Sequence, residues 1–356
     1  MSKIIQEVTK KTPKIIKDVY EPKKIKNLEV VEHMENKISE SGVERMMRCS
    51  TYNEFIETAE NSEGETTTKL FRSMSCGKRT CPICAYKKAR KDAYMLGVMM
   101  KAIEIELGYQ FLFVTLTTPN VIAEEVKAEI DLFNHSHAKM RKRKVFEKVS
   151  KGFLRKLEMT YNEEREDYNP HVHMIVAVTK SYFTNPNLYM TKDDWLKLWQ
   201  SVTKNNNITQ VHVQRVGSQH KNKDADSAVM EIAKYAAKDS EMLLSQKVFD
   251  TFYQGLRGRQ LITFNKVFKD YRLKYECGAL DKYKDPDKNE YINLVTAEWG
   301  GDRFNTRTRK LTQAEHQEIQ DMKNELLERI DDAKYRGKET LSEYVERKKT
   351  GRTSTL

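Results

Sequence analysis

Apolar and polar positions along this chain follow two periods, and the places where the period changes mark the elements. His171-Val172-His173-Met174-Ile175-Val176-Ala177-Val178 opens with strict alternation. Successive strand residues point to opposite faces, so Val172, Met174, Val176 and Val178 share a buried face while His171 and His173 share the other. Residues 110–117, QFLFVTLT, are β-favouring at nearly every position and stop at Thr118-Pro119-Asn120; this predicts an interior strand covered on both faces. Further strands are expected near 66–74, 153–161, 211–216 and 291–299. The 153–161 strand should form an antiparallel hairpin with the histidine strand across a polar loop, 162–169.

Helical spacing alternates with these strands. Leu96, Met99, Met100, Ile103 and Leu107 form a stripe within 85–107 that Gly108 terminates. A long helix is expected over 122–150, and others over 191–204 (Trp195, Leu198, Trp199, Val202), 225–244, 248–256 and 312–349 (Ile319, Met322, Leu326, Ile330). Residues 258–265 read as a turn with a short ordered segment. Residues 1–40 sustain neither period and read as a mobile or loosely packed basic arm. The class is therefore α+β, a central antiparallel sheet with helices packed on it.

Composition adds a direction. The 356 residues carry 63 Lys and Arg against 52 Asp and Glu, a net charge of +11, which points to a polyanion; nucleic acid leads and a membrane surface is second. No run of about 18 apolar residues is present to span a bilayer. Met1 is followed by Lys-rich polar sequence without the apolar core of a secretory signal, so a cytoplasmic location is expected.

Reducing surroundings make cysteines better metal ligands than disulfide partners. Cys76, Cys81 and Cys84 stand at C-x4-C-x2-C spacing, with Cys49 upstream, a set that can supply closed tetrahedral coordination to structural Zn²⁺. Scattered buried thiols or a redox pair at Cys81 and Cys84 are the alternatives. The cations Lys78, Arg79, Lys87, Lys88, Arg90 and Lys91 around the cluster favour zinc. They also make it a plausible phosphate contact, as does the basic run 139–144. Cys277 is isolated and has no assigned role.

His171 and His173, aimed at one point, suit a divalent ion, although a polar sheet face that happens to carry two histidines gives the same pattern. Leu157 and Met159 share the buried face of the neighbouring strand, which puts Glu158 on the histidine face. A hairpin symmetric about its loop would set Glu158 opposite His173 and complete a His-His-carboxylate set fit for Mn²⁺ or Mg²⁺. His135 and His137 repeat the spacing in a helix, where i and i+2 diverge and cannot share an ion. His212 reads as an ordinary sheet residue. In the 225–244 helix Glu231, Tyr235 and Lys238 fall on one polar face.

In order, the strand ending Thr115-Leu116-Thr117-Thr118-Pro119-Asn120, then His171-Val172-His173, then Glu231-Ile232-Ala233-Lys234-Tyr235-Ala236-Ala237-Lys238 resembles the rolling-circle replication initiators of small bacterial plasmids, within the HUH endonuclease superfamily. It resembles most the single-tyrosine branch whose third motif carries a Glu. The resemblance covers roughly residues 45–275. It implies a ferredoxin-like, split βαβ core. With the residue pattern it gives the expected segmentation 1–44 basic arm, 45–108 zinc-binding element and helix, 109–245 HUH endonuclease core, 246–311 extension of the core, and 312–356 charged helix and tail. It further implies that Tyr235 nicks one DNA strand at the double-strand origin through a 5′-phosphotyrosine and frees a 3′-OH primer, with Lys238 stabilising charge. Glu231 would assist hydrolysis at termination. The implied partners are plasmid origin DNA, single-stranded or as a hairpin, a host helicase and a DNA polymerase, with no membrane; a dimer is compatible. A relaxase or transposase of the same chemistry, or a zinc-dependent DNA-binding regulator without catalysis, fits the same motifs.

Overall fold

The computed structural model describes residues 12–216, 228–229, 231–233 and 239–335. The chain divides into two compact units, Met1–Lys87 with Asp285–Asp332 and Lys88–Lys284 with Ala333–Leu356.

The first unit departs most from expectation. Residues 16–34 are helical, a π turn at Ile16–Tyr20 continuing into α1, Glu21–Met34, followed by α2, Glu40–Met47. Ser39 caps α2 by accepting from the Gly42 N–H. Ile16, Val30, Val31 and Met34 are buried, so the described part of the supposed arm is a packed element. Its apolar positions are interspersed with lysines, one of which, Lys24, is itself buried, and this hides the helical period. Four strands form an antiparallel sheet in the order β2-β1-β8-β9: β1 Tyr52–Thr58, β2 Thr68–Ser73, β8 Tyr291–Trp299 and β9 Phe304–Lys310. The sequence pattern showed β2 and β8 but neither β1 nor β9. Residues 291–310 thereby complete this sheet and do not extend the other one. In the charged helix Gln313–Tyr335, Ile319 packs with Ile56, Tyr291, Leu294 and Leu311, whereas Met322 lies exposed, off the expected stripe.

The second unit is an antiparallel five-stranded sheet in the order β6-β3-β5-β4-β7, with β3 Gln110–Thr117, β4 Gly152–Asn162, β5 Asp167–Val178, β6 His212–Val216 and β7 Ile262–Lys266. The histidine strand β5 is central. Its even-numbered residues, Val172 to Val178, are fully buried as predicted. The opposite face is also covered for half its length. Ile175 and Ala177 join Phe111, Phe113 and Leu154 in a core closed by α3, Pro82–Leu107, through Leu96, Met99, Met100 and Ile103, and by Ala228, Val229 and Ile232. The last stripe residue, Leu107, is exposed, and Gly108 ends the helix with φ 66°.

Three further features adjust the expected elements. The long helix breaks into α4, Val126–Met140, and α5, Lys144–Val149, at the basic run. Clustered like charges 141–144 weaken a continuous helix there. β7 is a true edge strand, paired with β4. Gly152, at φ 149°, permits the close approach, because a Cβ there would lie 2.6 Å from the Asn265 carbonyl oxygen. α6, Lys192–Thr203, carries a full capping box between Thr191 and Asp194.

Candidate metal and catalytic site

The site occupies the end of β5 where the apolar cover stops. Strand alternation puts His171 and His173 on the same face as Ile175 and Ala177. His173 is the border residue, with its ring 5.4 Å from the stacked Phe113 ring and T-shaped to His171 at 4.9 Å. On β3 the register partners of the two histidines are Thr117 and Thr115, and on β4 they are Glu158 and Lys156. Glu158 thus stands opposite His171, not His173 as expected, because the hairpin strands run on to Asn162 and Asp167 and the loop is only four residues long. A two-residue shift keeps Glu158 on the same face. Its Oε2 lies 3.7 Å from His173 Nε2, and Glu158, His171 and His173 each offer a ligand atom within 4.8 Å of the others.

The second nitrogens of the imidazoles are held in place. His171 Nδ1 is 3.0 Å from the Asn169 carbonyl oxygen and His173 Nδ1 is 3.0 Å from Thr115 Oγ1. This leaves the Nε2 atoms to face the common point, the arrangement by which ligating histidines are usually oriented. Burial, reinforced by His171 and Lys156 against the opposing pull of Glu158 and Glu231, lowers the His173 pKa to about 4. His173 is therefore neutral near pH 7, as a ligand must be. The donor set of two imidazoles and a carboxylate, with polar space beside it, fits a divalent cation.

Pattern reading missed Lys156. Its ammonium is buried and donates to Glu158 Oε2 at 2.9 Å and to the Glu231 carbonyl oxygen at 3.1 Å. The only signal was a lysine two residues before Glu158, on the same face of a strand that also carries Phe153, Leu154, Leu157 and Met159. Glu231 itself sits half-buried with Oε1 3.8 Å from His173 Nε2, and Ala228, Val229 and Ile232 pack with Ile175 and Ala177 on the same sheet face. Tyr235 and Lys238, with Lys234, lie outside the described residues.

The motif at the end of β3 also acquires a role. Asn169 donates to the Thr118 carbonyl and to Asn120 Oδ1, and accepts from Thr117 Oγ1. Trp199 Nε1 donates to the Thr117 carbonyl at 2.8 Å. These bonds lock the strand ends beside His171. The decoy pair behaves as its spacing requires, with His135 exposed and His137 buried. His212 is exposed and bonds Gln214.

In the first unit the four cysteines converge. Sγ atoms of Cys49 and Cys84, Cys76 and Cys84, and Cys49 and Cys81 are each 3.6 Å apart. Four thiolates bound tetrahedrally at about 2.3 Å would stand about 3.8 Å apart, whereas a disulfide needs about 2.05 Å. The cluster thus fits a metal ion. Lys24, buried in α1, donates to the Met47 and Cys49 carbonyls at 2.6 and 2.9 Å. Lys87 donates to Ser73 Oγ and Ser75 Oγ. Burial lowers the pKa of both lysines, and the cysteines act against that shift.

A family model described as replication protein matches residues 67–300, a span that takes in Cys76, Cys81 and Cys84 of the cluster, the histidine strand and the Glu231 segment. The chain belongs to this family, the plasmid replication initiators. Among relatives of this replication protein, a protein rep of Staphylococcus aureus is 42% identical over 229 residues, 64% of this chain and 95% of that one. A protein rep of Lactiplantibacillus plantarum is 32% identical over 256 residues, 67% and 80% of the two chains. One from Streptococcus pneumoniae serotype 2 is 27% identical over 275 residues, 75% and 84%. No solved structure matches the replication protein.

Proposed function

We propose that this initiator nicks one strand of plasmid DNA at the double-strand origin and stays joined to it. The observation that carries the reading is the meeting of His171, His173, Glu158 and Glu231 at one end of the central strand. His171, His173 and Glu158 would hold Mn²⁺ or Mg²⁺, which supplies Lewis-acid charge for a phosphate oxygen. Tyr235 is the nucleophile. Its phenolic oxygen bonds to phosphorus as the bond from phosphorus to the 3′ oxygen breaks; the phenol gives up its proton and the leaving oxygen gains one, so a 5′-phosphotyrosine and a 3′-OH primer result. The bond energy is kept in the phosphotyrosine, so later strand transfer needs no nucleotide triphosphate.

Glu231 is the candidate base for termination, taking a proton from water that cleaves the last phosphodiester and leaves no reusable protein–DNA bond. Lys238 stabilises developing charge. Zn²⁺ is the proposed occupant of the four cysteines. Origin DNA is the substrate, with a host helicase and a DNA polymerase acting on the nicked product.

The test is an oligonucleotide hairpin carrying the origin of the replicon that encodes the chain, incubated with Mn²⁺ and assayed for a covalent adduct by denaturing gel. The wild-type chain should form one, Tyr235→Phe should not, and Glu231→Ala should nick while failing to release. An adduct formed by Tyr235→Phe would overturn the assignment.

A further inference from the structure

A cleft of about 540 Å³ opens beside the histidine site within the second unit, at the ends of β3, β4 and β5. Thr117, the register partner of His171, lies on its wall together with Asn169, Tyr161, Asn162 and the loop residues Asn207 to Gln210. Among the described residues its lining carries one cation and one carboxylate, Arg165 and Glu241. Arg165 is already committed, with both Nε and Nη2 donating to Asp167, and Glu241 accepts from the Tyr161 backbone N–H.

In a chain of net charge +11, a phosphate channel would present unpaired cations. This cleft presents amides, hydroxyls and a tyrosine ring. Those groups suit the flat face and the hydrogen-bonding edge of an unpaired base. Tyr161 is partly exposed and is backed by the buried Tyr168 ring at 4.8 Å, which fixes it as a stacking surface. Asn207, Thr209 and Gln210 are exposed and line the same cleft, as donors and acceptors for a base edge.

We propose that the cleft is a nucleobase subsite that takes an unpaired base next to the phosphate presented to His171 and His173, with Tyr161 as stacking platform and Gln210 as edge reader. The placement of that phosphate rests on the proposed nicking reading; the affinity for a base does not. The site would therefore read sequence beside the nick.

Fluorescence anisotropy with labelled single strands of the origin tests this, each strand carrying one abasic position in turn. Binding is measured without added divalent metal, so a failure to nick leaves the experiment intact. One abasic position should weaken wild-type binding by about tenfold. Tyr161→Ala should bind the intact strand about tenfold more weakly and be insensitive to that same abasic position, while the slope of affinity against salt stays unchanged. Gln210→Ala, at an exposed loop position, should lose discrimination between bases there and keep its melting temperature. If the abasic penalties are equal in wild type and both variants at every position, or if Tyr161→Ala flattens the salt slope, the proposal is wrong.

Discussion

Among the described residues the chain holds two clusters of metal-ligand side chains built on opposite plans. The four cysteines form a symmetric set of like ligands, with Cys49 and Cys81 fully buried and Lys24 bonded nearby to the Cys49 carbonyl. The histidine cluster mixes two imidazoles with one carboxylate, is graded from buried His173 to half-buried His171, and borders a polar cleft. A closed thiolate set stabilises a fold and leaves no coordination position for substrate; an open nitrogen and oxygen set leaves positions free for chemistry. On the proposed reading the contrast separates a structural centre from a working one, and the two can be tested apart.

Breaking the closed centre should have the largest effect. Cys81→Ser is expected to lose bound zinc, read by elemental analysis, and on the order of 3 kcal/mol or more of stability, read by chemical unfolding. His171→Ala should do the reverse, cutting nicking by about a thousandfold with a melting temperature within a few degrees of wild type. If both variants melt alike, the division of labour fails.

Lys156 sharpens the comparison from inside the working centre. Lys156→Met would strand the buried Glu158 carboxylate beside His173, at an expected cost of about 3–5 kcal/mol in unfolding without divalent metal. Mn²⁺ should restore part of that loss, because it can take over the neutralisation of Glu158. A variant stability that ignores Mn²⁺ would remove Glu158 from the ligand set.

The smallest effect belongs to a buried histidine outside both clusters, His137. Burial, with Arg155 and Arg141 nearby, holds the His137 pKa well below its ordinary 6.5, and its Nε2 has no partner among the described residues. The folded state keeps this imidazole neutral while the unfolded chain protonates it. Its stability contribution is therefore complete above about pH 6.5 and is lost as pH falls below that, by up to about 1.4 kcal/mol per pH unit. His137→Phe, beside the Phe153 ring it now meets edge-on, should flatten that slope in unfolding measured from pH 7 to pH 5.

Legibility followed periodicity. β3, β5, α3 and α6 were plain because each buries a face whose spacing is written in Val, Ile, Leu and aromatic residues. The pairing of the histidines and the face of Glu158 came from the same rule; the register did not, since loop length was read from polarity and the strands continue through Tyr161, Asn162 and Tyr168. Lys156 and Lys24 were invisible because a buried lysine looks like a solvated one until its partners are placed. β1 and β9 escaped for a related reason: polar residues fall on both faces of each, Asn53 and Glu54 in one and Asn305 and Thr306 in the other, and hide the two-residue period, while their pairing partner β8 is far from β1 in the chain.

That last dependence sets a timetable. Phe55 of β1 pairs with Val295 of β8, about 240 residues later in the chain. At about 5–20 residues per second, synthesis of the intervening segment occupies roughly 12–48 s. During that interval the edge of β1 that β8 later covers is unpaired, in addition to the outer edge of β2, and is a template for unwanted pairing. The four cysteines, all made by residue 84, are complete long before β8 and β9 arrive, so a metal captured there would hold the hairpin's neighbourhood together while it waits for its final strands.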